Sequence, residues 1–381
     1  MHRRTFLQCG LAGLALIGAS PLVAGCSRAH RSDLRLTDDV ITAPSLLDGD
    51  RMKMLHYASL APSGHNSQPW AVRVVSADEW IVEADPNRRL PAVDPDNREA
   101  LLSIGAFVEN LVIAAGAAGF ICDIELLAVS PTDRDLLRVS LAPGRCSGYP
   151  LARLEMRRTV KHGFRMEPLR SPDLAFLSAS LGDRLHYFPR DTQHADCLRE
   201  ATTENFRVQS LRDDAQRELT GWLRLSSRAT RRNRDGLTVE SMEIGGLAGW
   251  FVRHWSDPGD FLKPRFRQQG IDATARMAAE GGGWIVITSP GSTVADLIDT
   301  GRRFQRMALL ARERGIAIHP MTQALEEAGG REQFSKLHPG GIIPQFVLRV
   351  GYLDRYPEPV SPRRPVTWFL KPDFSARTHR A

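Results

Sequence analysis

One short stretch, residues 61–70, combines residue types that could hold a polar ligand: Ala-Pro-Ser-Gly-His-Asn-Ser-Gln-Pro-Trp. It follows a helical pattern over 51–60 and precedes an apolar pattern over 71–75 that is typical of a strand. Proline and glycine favour a turn, whereas the serine and amide side chains carry hydrogen-bond donors and acceptors. The alternative is a polar helix-to-strand turn that binds nothing. The residues that would form the site are Pro62, Ser63, Gly64, Asn66 and Gln68.

A second stretch, Arg157-Arg-Thr-Val-Lys161, is strongly basic. Its alternate positions Arg157, Thr159 and Lys161 would lie on one side of an extended chain. A guanidinium can bind phosphate oxygens in a bidentate manner, a hydroxyl adds a donor, and an ammonium adds a point charge. Taken alone, the segment also fits a basic strand on the surface of the protein.

Both segments resemble motifs of the nitroreductase superfamily. Residues 61–70 are similar to its P-S-x-x-N-x-Q-P-W segment, which lies along the flavin ring. Residues 157–161 are similar to its R-x-S/T-x-K/R segment, which grips the FMN phosphate. The resemblance implies FMN as the cofactor, with Ser63 and Asn66 facing the pyrimidine edge and the ribityl hydroxyls. It also implies hydride transfer from NAD(P)H through FMN to a nitroaromatic or quinone-like acceptor, with no dedicated catalytic acid or base.

Two later segments fit the same resemblance. Residues 318–323 stand where the family has P-x-E-G, whose backbone N–H groups face the flavin, but here Thr322 and Gln323 replace Glu-Gly. Backbone contacts would survive this change, whereas redox tuning and substrate access would differ. Arg363 and Arg364 match a late basic pair that closes on the phosphate in the family, with surface arginines as the alternative interpretation.

The chain also contains an internal repeat. Residues 105–119 and 301–315 each begin on a glycine, run for about four helical turns and end on a glycine. Trp-Ile-Val precedes each copy and Leu-Arg-Val follows each copy. The same order of strand, helix and strand in both places suggests two fused copies of one domain, so that a single chain imitates a homodimer.

The two motifs occur once each, in opposite halves, so we expect one FMN per chain, as in the Acg-type branch of the superfamily. The predicted fold is α+β and nitroreductase-like: two fused half-subunits mimic a homodimer, with antiparallel sheets flanked by helices. The predicted units are a signal segment (1–26), a first half (45–150), a second half (151–375) and, within it, a lid-like insertion at about 203–282.

The first 26 residues differ from the rest of the chain. Arg3 and Arg4, a short apolar stretch, and Val-Ala-Gly before Cys26 predict a twin-arginine export signal with a lipoprotein-type cleavage site. We therefore expect a periplasmic protein or a membrane-anchored lipoprotein with a lipid anchor at Cys26; a plain signal peptide is the alternative. Because an exported protein has little access to NAD(P)H, a flavin-binding or flavin-sequestering protein with little turnover is the second functional hypothesis.

Composition narrows the range of partners. The formal net charge is +6, but acidic residues lie among the arginines nearly everywhere, which argues against nucleic-acid binding. The five cysteines and 11 histidines show no metal-ligand spacing, so no metal site is predicted. The expected partner is a small-molecule substrate or electron donor, and the expected state is a monomer, since fusion removes the need to dimerise.

Overall fold

The computed structural model describes residues 47–337 and 343–372. Two sheets, of five and four strands, are built mainly from antiparallel pairs and are flanked by helices. The predicted α+β class with antiparallel sheets flanked by helices is therefore confirmed. The predicted signal segment, residues 1–26, lies outside the described residues.

The first sheet belongs mainly to the first half of the chain. Its strands, numbered along the chain, are β1 (Trp70–Val74), β2 (Glu79–Ala84), β3 (Phe120–Leu126), β4 (Asp135–Pro143) and β11 (Leu370–Pro372). They lie in the order β11-β1-β2-β4-β3. β11 pairs parallel to β1, with Leu370 opposite Val72. The C-terminal part of the chain is thereby tied to the first sheet.

The second sheet is fully antiparallel. Its strands are β5 (Leu185–Pro189), β8 (Gly283–Ser289), β9 (Ile316–Pro320) and β10 (Ile343–Tyr352), in the order β5-β8-β10-β9. Every residue of β8 is buried, because the strand lies inside the sheet and its side chains pack on both faces. Trp284, Ile285, Val286 and Ile287 supply the apolar surface that this position requires.

Two long helices carry the repeat that the sequence predicts. They are α2 (Arg98–Ala117) and α10 (Val294–Glu313), after the shorter α1 (Gly49–Ser59). The predicted starts at Gly105 and Gly301 are wrong, since both helices begin about two turns earlier. The predicted ends are confirmed, because Gly119 and Gly315 follow the helices with φ of 83° and 68°. By length and composition α2 could cross a membrane, and 72% of that window is buried in the protein.

Gly105 and Gly301, which the sequence predicted as helix starts, lie at the point where the two long helices cross. A Cβ on Gly105 would lie 2.2 Å from the Ile298 carbonyl oxygen, and a Cβ on Gly301 would lie 2.1 Å from the Leu102 carbonyl oxygen. Only glycine therefore permits this backbone-to-backbone contact in either helix. The contacts are reciprocal, as in an interface between two equivalent subunits. One turn further along, Gln305 Nε2 donates to Asn110 Oδ1 (2.7 Å).

The remaining elements are mostly helical, including the predicted insertion at 203–282. In and beside it lie α5 (Gln193–Leu211), α6 (Asp213–Trp222), α7 (Ser227–Asn233), α8 (Gly246–Trp255), α9 (Pro264–Ala279), β6 (Leu223–Arg224) and β7 (Leu237–Thr238). Elsewhere lie α3 (Ala152–Met156), α4 (Ser171–Ser178), α11 (Gln323–Glu326), α12 (Ala328–Leu337) and α13 (Val366–Phe369). The second half therefore carries a helical layer that the first half does not.

Candidate functional site

The loop 61–70 leaves α1 and enters β1 through an unusual backbone. His65, Asn66 and Gln68 have φ of 49°, 52° and 55°, in the left-handed region. This region costs a non-glycine residue roughly 1–2 kcal/mol, so other contacts must hold the loop in place. Within the loop, the Gln68 N–H donates to Ser63 Oγ (2.9 Å), and residues 64–66 form one 3₁₀ turn. The predicted turn is therefore present.

Two buried arginines from the C-terminal segment hold this loop. Arg363 donates to Asn66 Oδ1 (2.8 Å) and to the carbonyl oxygens of Leu60 (3.2 Å) and Ala61 (3.0 Å). Arg364 Nη2 donates to the carbonyl oxygens of Gln68 (2.6 Å) and Trp70 (2.8 Å). Burial lowers the pKa of Arg364 to about 9. In this structure both arginines bind the loop, which differs from the expectation that they face a phosphate.

The amide side chains of the loop are also used within the protein. Asn66 Nδ2 donates to the carbonyl oxygens of Gly236 and Pro362 (both 3.2 Å). Gln68 Nε2 donates to the Arg234 carbonyl oxygen (3.0 Å), and its Oε1 accepts from the Arg364 N–H (2.9 Å). The expectation that Asn66 faces a ligand thus differs from its observed contacts, since carbonyls distant in sequence occupy its amide. Pro62, Ser63, Gly64 and His65, by contrast, remain half-buried.

The basic segment 157–161 is extended and lies beside β9, because the Val160 N–H donates to the Ile318 carbonyl oxygen (3.3 Å). Arg157 is buried, which lowers its pKa to about 10, and its Nε has no hydrogen-bond partner among the described residues. Burial also lowers the pKa of Lys161, whose own N–H donates to Glu243 Oε2 (3.1 Å). Thr159 is half-buried. The segment therefore presents cations in a desolvated setting, where an anion would be bound strongly.

The residues that precede the loop and those that precede the basic segment pack together, although they come from opposite halves. Leu154 packs against Leu60, and Tyr57 at the end of α1 bonds to Glu155 (3.0 Å). Burial lowers the pKa of His65 to about 4; the charge of Glu99 opposes this shift, and the charge of Lys161 contributes to it. His65 and Lys161 nevertheless keep solvent-accessible area. The two segments therefore lie near each other, and we call the surface around half-buried His65 and Lys161 the cleft.

Thr322 lies between the carboxyl groups of Glu99 and Glu326. Its Oγ1 lies 2.9 Å from Glu99 Oε1 and 3.0 Å from Glu326 Oε1. One hydroxyl carries a single proton, so it can donate to only one carboxylate, and the other carboxyl group must be protonated to complete the second bond. Burial, reinforced by Glu99, raises the pKa of Glu326 to about 8, while Gln209 and Arg98 oppose the rise. The raised pKa favours the protonated form of Glu326.

The carboxyl pair lies directly against the loop. A Cβ on Gly64 would lie 3.0 Å from Glu99 Oε2, so the Glu99 carboxyl group lies close to the backbone of the loop. Gln323, the first residue of α11, has a buried Oε1 without a hydrogen-bond partner in the described part of the chain. The structure thus brings Gly64 and Thr322 to the same carboxyl group, that of Glu99, with Gln323 next to Thr322 at the start of α11.

Sequence reasoning missed several residues of this cleft. Glu99 and Glu326 belong to helices with no motif, and His65 occupies a variable position of the 61–70 pattern. His319 and the fully buried Arg349 also belong here, because Arg349 Nη2 lies 2.6 Å from the Lys161 carbonyl oxygen and 3.2 Å from His319 Nδ1. For Arg349, the one signal in the sequence was an arginine within a mostly apolar strand, because arginine is rarely fully buried unless it is paired.

Metal-ligand chemistry has no candidate within the described ranges. No group of three or more His, Cys, Asp or Glu side chains there could hold a metal ion. Cys122, Cys146 and Cys197 are free thiols, and burial raises the pKa of Cys122 to about 12.

Comparison with known proteins agrees with the motifs. No family model matches the chain. Over 323 residues, 82% of this chain and 88% of the relative, it is 26% identical to "Putative NAD(P)H nitroreductase Rv3131" of Mycobacterium tuberculosis. Over 353 residues, 88% of this chain and 96% of the relative, it is 25% identical to "Putative NAD(P)H nitroreductase acg" of that organism. The chain is therefore similar to proteins that are named as putative nitroreductases.

Among solved structures, a nitroreductase with bound FMN from Desulfitobacterium hafniense matches with 15% identity and a TM-score of 0.34. That match covers 56% of this chain and 93% of the other. The match to the relative named acg covers 88% of this chain, which is enough to include both the loop 61–70 and the segment 157–161.

Proposed function

We propose that the chain is an FMN-dependent oxidoreductase of nitroreductase type with one flavin site between its two halves. The observation that carries this proposal is the proximity of the loop 61–70 and the buried basic segment 157–161, whose preceding residues pack together. Taken alone, the loop could be a polar turn that binds nothing, and the basic segment could be a surface strand. A surface strand, however, would not bury Arg157 or desolvate Lys161.

The residues at the cleft fit the chemistry of FMN. Arg157 has an unpartnered buried Nε and Lys161 a desolvated ammonium, which suit a phosphate group. Gln323 has an unpartnered Oε1, which suits a ring N–H. Gly64 has no Cβ, which lets the Glu99 carboxyl group lie against the backbone of the loop. When bound, FMN would supply hydride transfer between NAD(P)H and a nitroaromatic or quinone-like acceptor.

The other residues of the cleft position these groups. Asn66, Gln68, Arg363 and Arg364 fix the left-handed loop, so we assign them a positioning role. Pro62 and Ser63 form the start of the loop, where Ser63 Oγ accepts from the Gln68 N–H. Glu326 holds a proton near neutral pH, beside Thr322, and is the group in the cleft best suited to retain one there. Thr159 adds a hydroxyl beside the two cations.

The reciprocal crossing of α2 and α10 supports the fused-dimer arrangement as part of this proposal. A homodimer would form two equivalent sites, whereas this chain has one copy of each motif. One FMN per chain and a monomeric protein follow. Export by the twin-arginine route, with a lipid anchor at Cys26, remains our proposal for its location.

A flavin-sequestering protein is the second candidate, and the insertion favours it. Residues 234–236 bond to the loop through Gln68 and Asn66, and Glu243 bonds to Lys161 and Arg158. One segment of the insertion thus bridges both motifs and would restrict access to the cleft. Anaerobic mixing of the flavin-loaded protein with NADPH separates the candidates: bleaching of flavin absorbance supports turnover. A flavin that only dithionite bleaches would refute NAD(P)H-dependent catalysis.

The site assignment is tested by replacing Arg157. Arg157→Ala removes a charge-assisted contact worth about 1.5–3 kcal/mol, so FMN should bind roughly 10- to 150-fold more weakly. Titration of the apoprotein with FMN, followed by flavin fluorescence, measures the change. Arg153→Ala is the matched control, because Arg153 is exposed and pairs with Glu313 on the surface. Equal affinity of Arg157→Ala and the wild type would overturn the assignment.

A further inference from the structure

The helix α8, within the insertion, exposes an apolar face. Leu247 is 72% exposed, Trp250 45%, Phe251 38% and Trp255 63%. Their spacing places all four on one side of the helix. Monomeric proteins seldom expose several large apolar residues side by side, so this surface is an interaction site. We call these four residues the α8 face.

The opposite side of α8 holds the helix on the protein. Gly249 is buried there, and Val252 packs in a cluster with Leu223, Leu225 and Val239. Arg253 pairs with Glu240. The helix is therefore anchored with its α8 face directed outwards, and the exposure does not result from a detached segment.

We propose that the α8 face docks the protein onto a lipid bilayer. Tryptophan, phenylalanine and leucine on one side of a helix are the residues by which interfacial helices enter the headgroup region, and tryptophan in particular prefers that depth. No acidic residue occurs between Glu243 and Asp257, and His254 lies within the helix. Contact with an anionic lipid surface would therefore meet no opposing carboxylate along α8.

The size of the face favours lipid over a second copy of the chain. A ten-residue helix is about 15 Å long, and one side of it offers far less than the roughly 800 Å² per partner that a stable protein interface buries. A bilayer needs no such matched surface, because apolar side chains insert singly.

The predicted anchor at Cys26 is compatible with this docking. Residues 27–46 separate Cys26 from the first described residue, and 20 residues of extended chain reach about 70 Å at most. A lipid chain alone gives marginal attachment, and a second contact is generally required for stable binding. The α8 face would be that second contact, although the proposal does not depend on acylation.

The experiment measures sedimentation with lipid vesicles. The chain from residue 27 onwards lacks the predicted signal and lipid but contains every residue that the structure describes. It is mixed with vesicles of phosphatidylcholine, and of phosphatidylcholine with phosphatidylglycerol. We expect the wild type to sediment with the vesicles and to remain bound in high salt, because apolar burial is not screened. In the double variant Trp250→Ala, Trp255→Ala, the partition coefficient between vesicles and buffer should fall about tenfold or more.

Trp368→Ala is the matched control, since Trp368 is 49% exposed and belongs to a different helix, α13. It should bind vesicles like the wild type. If the double variant proves misfolded by circular dichroism, the single variant Trp255→Ala, at the helix end, replaces it. Wild type that stays in the supernatant, or equal loss in Trp368→Ala, would overturn the proposal. So would a dimer by light scattering that the double variant abolishes without any vesicle binding.

Discussion

The crossing of α2 and α10 gives a prediction whose size can be worked from distances. In Gly105→Ala, the new Cβ would lie 2.2 Å from the Ile298 carbonyl oxygen and 3.1 Å from the Arg302 backbone nitrogen. An unstrained contact to that oxygen needs well over 3 Å, so the two helices must separate by about 1 Å. The obstructing atoms are backbone, so no rotamer change can relieve the clash.

We expect the free energy of unfolding of Gly105→Ala to fall by about 1–3 kcal/mol, which is typical of overpacking in a close-packed core. This is a net loss, because alanine is by itself about 1 kcal/mol more favourable than glycine within a helix. Gly116→Ala supplies the control in the same helix, since its Cβ would meet nothing closer than Ser147 Oγ at 3.5 Å. That variant should be neutral or up to about 1 kcal/mol more stable.

Urea unfolding followed by circular dichroism gives the free energy of unfolding of both variants. Gly301→Ala should match Gly105→Ala, because its Cβ would lie 2.1 Å from the Leu102 carbonyl oxygen. Displacing α2 would also move Glu99 at the cleft, so FMN affinity should fall together with stability in Gly105→Ala. If Gly105→Ala and Gly116→Ala are equally stable, the described crossing is refuted.

Two further predictions concern the cleft. Glu326 has its pKa raised from 4.5 to about 8 in the folded protein, so the folded state binds more protons than the unfolded state in that interval, and stability should fall as pH rises through it. Glu326→Gln should remove this part of the pH dependence in urea unfolding at pH 5, 7 and 9; an unchanged profile would show that Glu326 is ionised throughout. Arg363→Ala should cost about 2–4 kcal/mol of stability, because the carbonyls of Leu60 and Ala61 lose a buried donor, and it should weaken FMN binding. Wild-type stability and affinity in that variant would show that Arg363 does not hold the loop.

The sequence predicted the site segments better than the contacts of their side chains. The loop 61–70 forms the expected turn because proline, glycine and short polar residues constrain the local backbone. The partners of Asn66 and Gln68 were not predictable, since they are carbonyls of Gly236, Pro362 and Arg234, far away in sequence. Motif spacing identifies which residue types a loop needs, but distant backbone decides what they bind.

The helix boundaries were misassigned for a related reason. A glycine in a helical pattern can mark an end or a close contact, and the sequence alone does not distinguish the two. Gly119 and Gly315 end their helices, whereas Gly105 and Gly301 lie inside them at a backbone contact. Glu99 and Glu326 escaped notice because their proximity depends on how α2 and α11 pack, which has no local signature.

The flavin content of the protein tests the central claim most directly. The measurement is the visible absorbance of the purified chain, after loading with FMN and removal of the excess, divided by the protein concentration. One cleft built from two motifs, each present once, predicts one FMN per chain in the wild type. A colourless protein would contradict the flavin site, and two FMN per chain would contradict the single site between the halves.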